Sequence, residues 1–357
     1  MRGNGTMADE QRSRDAFRWQ DQFCRRNDAP ITAALCGALA EHLDRATATG
    51  RRILDWPGEP MADALPLRTA GGFHALYRSG RCPALAPIYR GEEGRGDRVW
   101  QALAAALAAH DAEIGRWLDG PPQTNEPRRS GMLMAGLLTL AERFGLPFEL
   151  LEIGSSAGLN LLIDRYRYQL DGVLVGPADA PITIAPEWRG LPPPSVGVPI
   201  ASVRGVDIAP IDVTDSAQAE RLMAFIWPDQ PDRLERARTA IEMVHTSPPR
   251  LEQGDAADWV EARLAEPQEQ GTMRVLMHSV VWQYLSPASQ QRIERAIADA
   301  GVRATPERPL GWVACEAERT LNRHVLTVRS WPGGGEPRRL GIMHPHGAWI
   351  EWGDPDR

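Results

Sequence analysis

At residue 148 the period of the apolar pattern changes, and that change constrains the fold more than any other feature of the chain. Beyond it, strand-like runs occupy 148–153, 202–208, 250–253, 274–278, 310–316, 325–331 and 340–349. Helical patterns at 159–166, 216–227, 233–244, 256–264 and 287–300 separate most of them. A strand followed by a helix returns to its sheet in parallel, so the alternation predicts an α/β domain around a mostly parallel, doubly wound sheet. The last two runs are joined only by Pro332-Gly333-Gly334-Gly335, which predicts a C-terminal antiparallel hairpin. Residues 176–199 hold seven prolines in 24 positions and read as a surface excursion beside the site, with a small hairpin before it at 166–174.

Ahead of residue 148 the periodicity is helical: 16–26, 31–48, 67–78, 99–118 and 129–144 are the candidates, with Pro30 opening the second and Gly50, Gly120 and Gly145 closing others. A chain of 357 residues with 43% hydrophobic content suits two domains at roughly 100–200 residues each. The expected division is an all-helical domain over 1–146 and a Rossmann-like domain over 147–357.

The chain contains no lysine; all 40 of its Lys-plus-Arg cations are arginine. This excludes a P-loop lysine, a pyridoxal Schiff base and an amine nucleophile. The net charge of −7 argues against nucleic acid as a partner. Cys24, Cys36, Cys82 and Cys315 form no C-x-x-C pair, which fits reduced thiols and a cytoplasmic location. The first thirty residues are charged throughout, so no signal peptide is expected, and Met1 and Met7 both stand as starts. The longest apolar run, 131–140, is too short for a bilayer, so no membrane partner is expected.

Most of the chemistry lies in Glu149-Leu-Leu-Glu-Ile-Gly-Ser-Ser-Ala-Gly-Leu-Asn160. A strand ends at Glu152, a glycine turn follows, and ligands of doubly wound sheets bind at such strand ends. A dinucleotide fingerprint would need glycine at Gly154, Ser156 and Leu159, and only the first fits. The pattern acid-x-Gly-x-Gly-x-Gly needs Glu152, Gly154, Ser156 and Gly158, and three of the four fit, favouring S-adenosylmethionine over a nicotinamide dinucleotide. Ser155, Ala157 and Asn160 complete the candidate cradle. Asp207 ends the second strand and is placed to accept ribose hydroxyls, although it follows Glu152 by 55 residues; Asp212 and Asp215 are rivals. Asp255 and Ala256 follow the third strand and suit the adenine edge, while Asp255 also reads as a helix cap.

At the fourth strand end, His278 is the candidate general base, with Trp282 and Tyr284 as an aromatic wall for a sulfonium. Gln123, Asn125, Glu126 and Arg129 form a polar cluster ahead of the first strand. Glu126 is the second catalytic candidate there, and the other three are candidates for substrate binding. Asn125 reads equally as a cap. His344-Pro-His-Gly347 lacks a third ligand at metal-site spacing, so no metal is expected. Gly154-x-Ser156-x-Gly158 also matches a nucleophile elbow, which keeps a serine hydrolase open.

Gln123-Thr-Asn-Glu126, the Leu151–Leu161 turn with Asp164-Arg-Tyr-Arg-Tyr168, Gly205-Val-Asp-Ile-Ala-Pro210, Trp227-Pro-Asp-Gln230, Asp255-Ala-Ala-Asp-Trp259, His278-Ser-Val-Val-Trp-Gln-Tyr284 and His344-Pro-His-Gly347 together resemble one bacterial family, domain of unknown function 2332. That resemblance carries no activity with it. The strand-end residues are similar in turn to class I S-adenosylmethionine-dependent methyltransferases. That likeness implies a cofactor across Glu152, Gly154–Gly158, Asp207 and Asp255–Ala256, and a small-molecule acceptor deprotonated by His278 or Glu126. The helical half is expected to form much of the acceptor pocket. A non-catalytic nucleotide-binding or interaction module is the alternative.

Overall fold

The structure, a computed structural model, describes residues 7–94, 96–318 and 323–353. In chain order come helices α1 (Met7–Arg26), α2 (Pro30–His42), α3 (Ala48–Leu54), α4 (Leu65–Arg78), α5 (Ala86–Tyr89), α6 (Asp97–Gly115) and α7 (Ser130–Phe144). Strands β1 (Phe148–Ile153), β2 (Arg167–Leu170), β3 (Val173–Val175), β4 (Thr183–Ile184), β5 (Glu187–Gly190) and β6 (Ile200–Asp207) follow. Then come α8 (Ser216–Ala224), α9 (Pro231–Thr246), β7 (Arg250–Gln253), α10 (Ala256–Ala265), β8 (Met273–Ser279), α11 (Pro287–Val302), β9 (Leu310–Glu318), β10 (Arg323–Trp331), β11 (Arg338–Met343) and β12 (Trp349–Trp352). Among the described residues no helix is long and apolar enough to cross a membrane.

Two compact units emerge, and the expected boundary at 146/147 falls inside the second. The first unit is 1–124 with 215–235, and the second is 125–214 with 236–357. In the first, α1–α6 enclose a core that includes Phe17, Leu39, Phe73, Leu103 and Leu107. The 215–235 segment belongs here because Asp229 caps α2 from a distance. Its carboxylate accepts from Ile31 N at 2.6 Å, Thr32 N at 3.1 Å and Thr32 Oγ1 at 2.7 Å, meeting helix-start donors that α2's own N-cap leaves unmet. The expected helix over 31–48 is broken, because Thr47 starts α3 by accepting from Gly50 N at 3.0 Å.

The second unit is a mixed α/β structure around a nine-stranded, mostly parallel sheet of order β5-β12-β11-β10-β9-β8-β1-β6-β7. The block β7-β6-β1-β8-β9 is wholly parallel. Antiparallel pairing runs from β9 through β10 and β11 to β12, so the expected hairpin is one turn of a longer meander. The expected strand at 340–349 is interrupted by the turn at His344–Gly347. Helix α7 packs on one face, where a Cβ at Gly136 would stand 2.8 Å from Val313 Cγ1. Helices α10 and α11 cover the other face through Val260, Ile293 and Ile297 against Leu151, Leu276 and Trp312.

The expected helix at 159–166 is absent, replaced by a single 3₁₀ turn at Leu159–Leu162. Two fully buried tyrosines account for this. Tyr166 Oη donates to Leu159 O at 2.6 Å and Tyr168 Oη donates to Ile163 O at 3.1 Å, taking carbonyls that a continuing helix would use. The proline-rich excursion also has structure. Strands β2, β3 and β4 form a separate small sheet, and β5 crosses to the far edge of the main sheet before the chain returns as β6.

Arg274 fastens this frame. Buried on β8, its guanidinium donates to Glu149 Oε2 on β1 at 2.9 Å, to Arg263 O and Glu266 O at 2.9 Å each, and to Pro267 O at 3.1 Å. The last three are carbonyls at the negative end of α10. Arg274→Met leaves Glu149 and those carbonyls without their donor. It should lower the unfolding free energy by about 3–5 kcal/mol in urea titration, with Arg274→Lys recovering only part.

Candidate functional site

The five parallel strands deliver their carboxyl ends to one edge of the sheet. Glu152 closes β1, Asp207 closes β6, Asp255 follows β7, His278 lies near the end of β8 and Glu316 near the end of β9. Chain order reverses at β1: β6 and β7 lie to one side of it, β8 and β9 to the other. Such a reversal opens a crevice above the sheet, because the connections leave it in opposite directions.

The loop after β1 is held by β6. Gly154 N and Ser155 N donate to Val206 O at 2.9 and 3.1 Å, and Ser156 N donates to Asp207 Oδ2 at 2.8 Å. Asp207 Oδ1 accepts from Ala209 N at 2.9 Å. Of the three carboxylates proposed for this strand end, Asp207 holds the loop; Asp212 closes a turn on Thr214 and Asp215 caps α8. Gly154, Ser156 and Gly158 all have left-handed backbone, with φ of +70°, +53° and +73°. Ser156 therefore holds the middle position in the conformation that glycine adopts without strain.

The glycines of this turn are closely packed. The bare face of Gly154 is filled by the Val281 side chain, and a Cβ on Gly158 would lie 2.9 Å from Pro249. Opposite Glu152, Gly205 leaves room for Ser155 Oγ and Leu161. Asn125 Oδ1 accepts from Leu159 N at 2.7 Å, so it ties the loop down. Ala157 and Asn160 are buried in the same turn.

Glu152 lies beneath this loop, 1% exposed. Burial pushes its carboxyl up to about 7, with the Ser155 and Asn160 side chains opposing and the Asp207 charge adding to the rise. Its Oε2 and the buried Ser156 Oγ have no hydrogen-bond partner among the described residues. Asp255 spends one oxygen, Oδ1, on Ala257 N and Asp258 N at 2.9 and 3.0 Å, as the cap of α10.

The two expected proton carriers are hydrogen-bonded within the chain. His278 is buried; its Nδ1 meets Glu316 Oε1 at 2.6 Å and its Nε2 meets Trp312 Nε1 at 3.0 Å. An indole N–H can only donate, so Nε2 accepts and Nδ1 carries the hydrogen, leaving no lone pair for an acceptor's proton. Trp282 stacks on that ring at 5.2 Å between centroids, while Tyr284 stands 76% exposed. Glu126 is buried, its Oε1 accepting from Arg236 Nε at 2.8 Å and Arg128 N at 3.0 Å. Arg129 Nε donates to Pro345 O at 3.1 Å. Gln123 falls in the first unit.

For the hydrolase alternative, no histidine is hydrogen-bonded to Ser156 Oγ among the described residues. His344 accepts from His346 N at 3.1 Å, and among the described residues no three His, Cys, Asp or Glu side chains group in a way that could hold a metal ion. Two residues escaped the sequence reading. Glu316 ends the expected 310–316 strand, so the logic that selected Glu152 and Asp207 would have found it. His324, at the start of β10, carried no such signal.

A family model described as an uncharacterised protein conserved in bacteria (DUF2332) matches residues 14–352. No curated protein and no solved structure matches the chain.

The raised carboxyl of Glu152 has a definite sign. Its stability contribution is fully present below the ordinary carboxyl value of 4.5 and is lost as pH rises through about 7. Glu152→Gln removes that loss. Thermal melts across pH should show the variant nearly equal to the parent at low pH and more stable by several degrees above pH 7; an offset independent of pH would refute it.

Proposed function

The chain belongs to the bacterial family DUF2332, and we propose that it is an S-adenosylmethionine-dependent methyltransferase acting on a small molecule. The observation that carries this reading is the row of carboxylates Glu152, Asp207 and Asp255 on the adjacent strand ends β1, β6 and β7, beside a left-handed loop at the reversal of strand order. Counted from β1, the parallel strands run third, second, first, fourth, fifth, the order of doubly wound nucleotide-binding sheets.

The residues fit the cofactor at the strand ends. Each Asp207 oxygen accepts one backbone N–H, and a carboxylate has about four lone-pair sites in all, so capacity remains for ribose hydroxyls. Asp255 keeps Oδ2 for an exocyclic amine, with Ala256 N–H beside it, and the exposed Ile208 supplies an apolar surface near Asp207. The unpartnered Glu152 oxygen suits a cationic group, which would draw its proton off. When bound, the cofactor supplies a methyl group already activated by its sulfonium. The protein's own part is alignment and exclusion of water. With His278 donating to Glu316 Oε1, the Glu316 Oε2 atom is unspent and is the group in this reading that receives the acceptor's proton.

A second reading, a ligand-binding module without turnover, draws on the covering of Gly154 by Val281. S-adenosylhomocysteine should bind at micromolar concentration in calorimetry, and Asp207→Asn should weaken it at least tenfold. No heat and no thermal shift at millimolar ligand would sink the methyltransferase. Binding that leaves Glu316→Gln as competent as the parent in transfer assays would remove Glu316 from the reaction.

A further inference from the structure

On the other side of the strand reversal, two buried groups have unspent hydrogen-bonding capacity and complement each other. Arg129 is 9% exposed, and beyond its bond to Pro345 O no hydrogen bond to its two terminal nitrogens occurs among the described residues. His324 is 5% exposed, and its Nδ1 has no partner among the described residues. The two interact. Burial first and the Arg129 charge second push His324 down to about 4, so the ring is neutral and offers one N–H donor. Both stand on the α7 face of the sheet: Arg129 immediately precedes α7, and His324 pairs with Ala317 on β9, two residues beyond Cys315, whose thiol the Arg129 charge also reaches.

A desolvated guanidinium without a hydrogen-bonded counter-ion is costly; the charges of Glu126 and Glu316 reach Arg129, but neither carboxylate is hydrogen-bonded to it. Glu126 is paired with Arg236, and Glu316 accepts from His278 and from Val281 N. The pair has the chemistry that suits a single planar oxyanion: one fork of guanidinium donors, one neutral imidazole, one positive charge between them. A dianionic phosphate would bring more charge than this pair offsets. Three strand spacings, about 14 Å, separate β10 from β1, which sets His324 apart from the loop after β1, whereas Arg129 follows Asn125, which holds that loop at Leu159 N.

We infer that Arg129 and His324 form an anion subsite and that the acceptor is a small carboxylic acid held there by its carboxylate. That this acid accepts a methyl group rests on the methyltransferase reading; the carboxylate site itself does not.

The test uses the full chain, with acetate, hexanoate and benzoate as probes, benzamide as the neutral isostere and inorganic phosphate as the competing anion. Thermal shift and ligand-observed NMR are recorded with and without S-adenosylhomocysteine. At least one carboxylate should bind saturably at millimolar concentration, while benzamide and phosphate do not. Arg129→Met should weaken that binding at least tenfold, with Arg129→Lys recovering part. His324→Asn, which keeps the Arg129–Pro345 bond, should weaken it severalfold and decides the matter if Arg129→Met does not fold. No saturable carboxylate, equal binding by phosphate, or unchanged affinity in His324→Asn overturns the inference. Arg129-dependent carboxylate binding without any binding of S-adenosylhomocysteine supports the subsite and removes the methyltransferase; the converse pattern removes the subsite alone.

Discussion

The second unit depends on one constraint: β1 is hydrogen-bonded in parallel on both sides, to β6 and to β8. Glu152 lies opposite Gly205 on one neighbour and Met277 on the other. Side chains alternate faces with a period of two, so a slip of one residue in either pairing would turn Glu152 out of its place and lift the loop off β6. The same pairing fixes where the chemistry can be. Parallel strands deliver all their carboxyl ends to one edge, so acids distant in sequence become neighbours without any local motif. The absence of a side chain at Gly205 lets Ser155 and Leu161 fold back over β6, and that fold-back brings Ser156 N to Asp207.

Buried polar groups along this edge separate into two kinds. Asn125 and His278 have strong partners within the chain, and that bonding accounts for their burial. Glu152, Glu316 and His324 each keep an atom without a partner, and Arg129 keeps donors unused. Leaving a buried donor or acceptor unmet costs about 1–3 kcal/mol, so groups of the second kind weigh against folding unless a ligand meets them. Chemical type alone does not separate the classes. Glu126 and Glu316 are both acids whose Oε1 meets two donors, and they differ in the donor's charge: Glu126 is paired with the Arg236 guanidinium, Glu316 with the His278 ring.

This is also why the sequence could be read only so far. The alternation after residue 148, the glycine turn and the acids at three strand ends were legible, because each is written in a short window. The 55-residue gap before Asp207 looked like a mismatch, and the structure resolves it: the chain builds a small sheet and lends β5 to the far edge before returning as β6. The lost helix after the turn depends on tyrosine hydroxyls that compete for its carbonyls, a contest no propensity scale registers. His278 read as a free base because its partners, Trp312 and Glu316, come from a strand more than thirty residues on. Periodicity locates strand ends well; it is silent on which polar groups at those ends have already found one another.

Ser156 joins these strands of argument. If the loop only had to turn, glycine at its middle position would do so without penalty, whereas a residue with a Cβ at φ +53° costs about 1–2 kcal/mol. The serine hydroxyl does not repay that cost within the chain, since it is buried and has no partner among the described residues. Backbone strain and an unmet hydroxyl at one residue, in the loop that follows a carboxyl raised to about 7 and bonded to the carboxylate of Asp207, are costs that packing does not offset. A ligand presenting hydrogen-bonding groups to Ser156 and a cation to Glu152 would relieve both at once. In the methyltransferase reading this turn would be the contact surface, while Gly154 and Gly158 are packed against Val281 and Pro249.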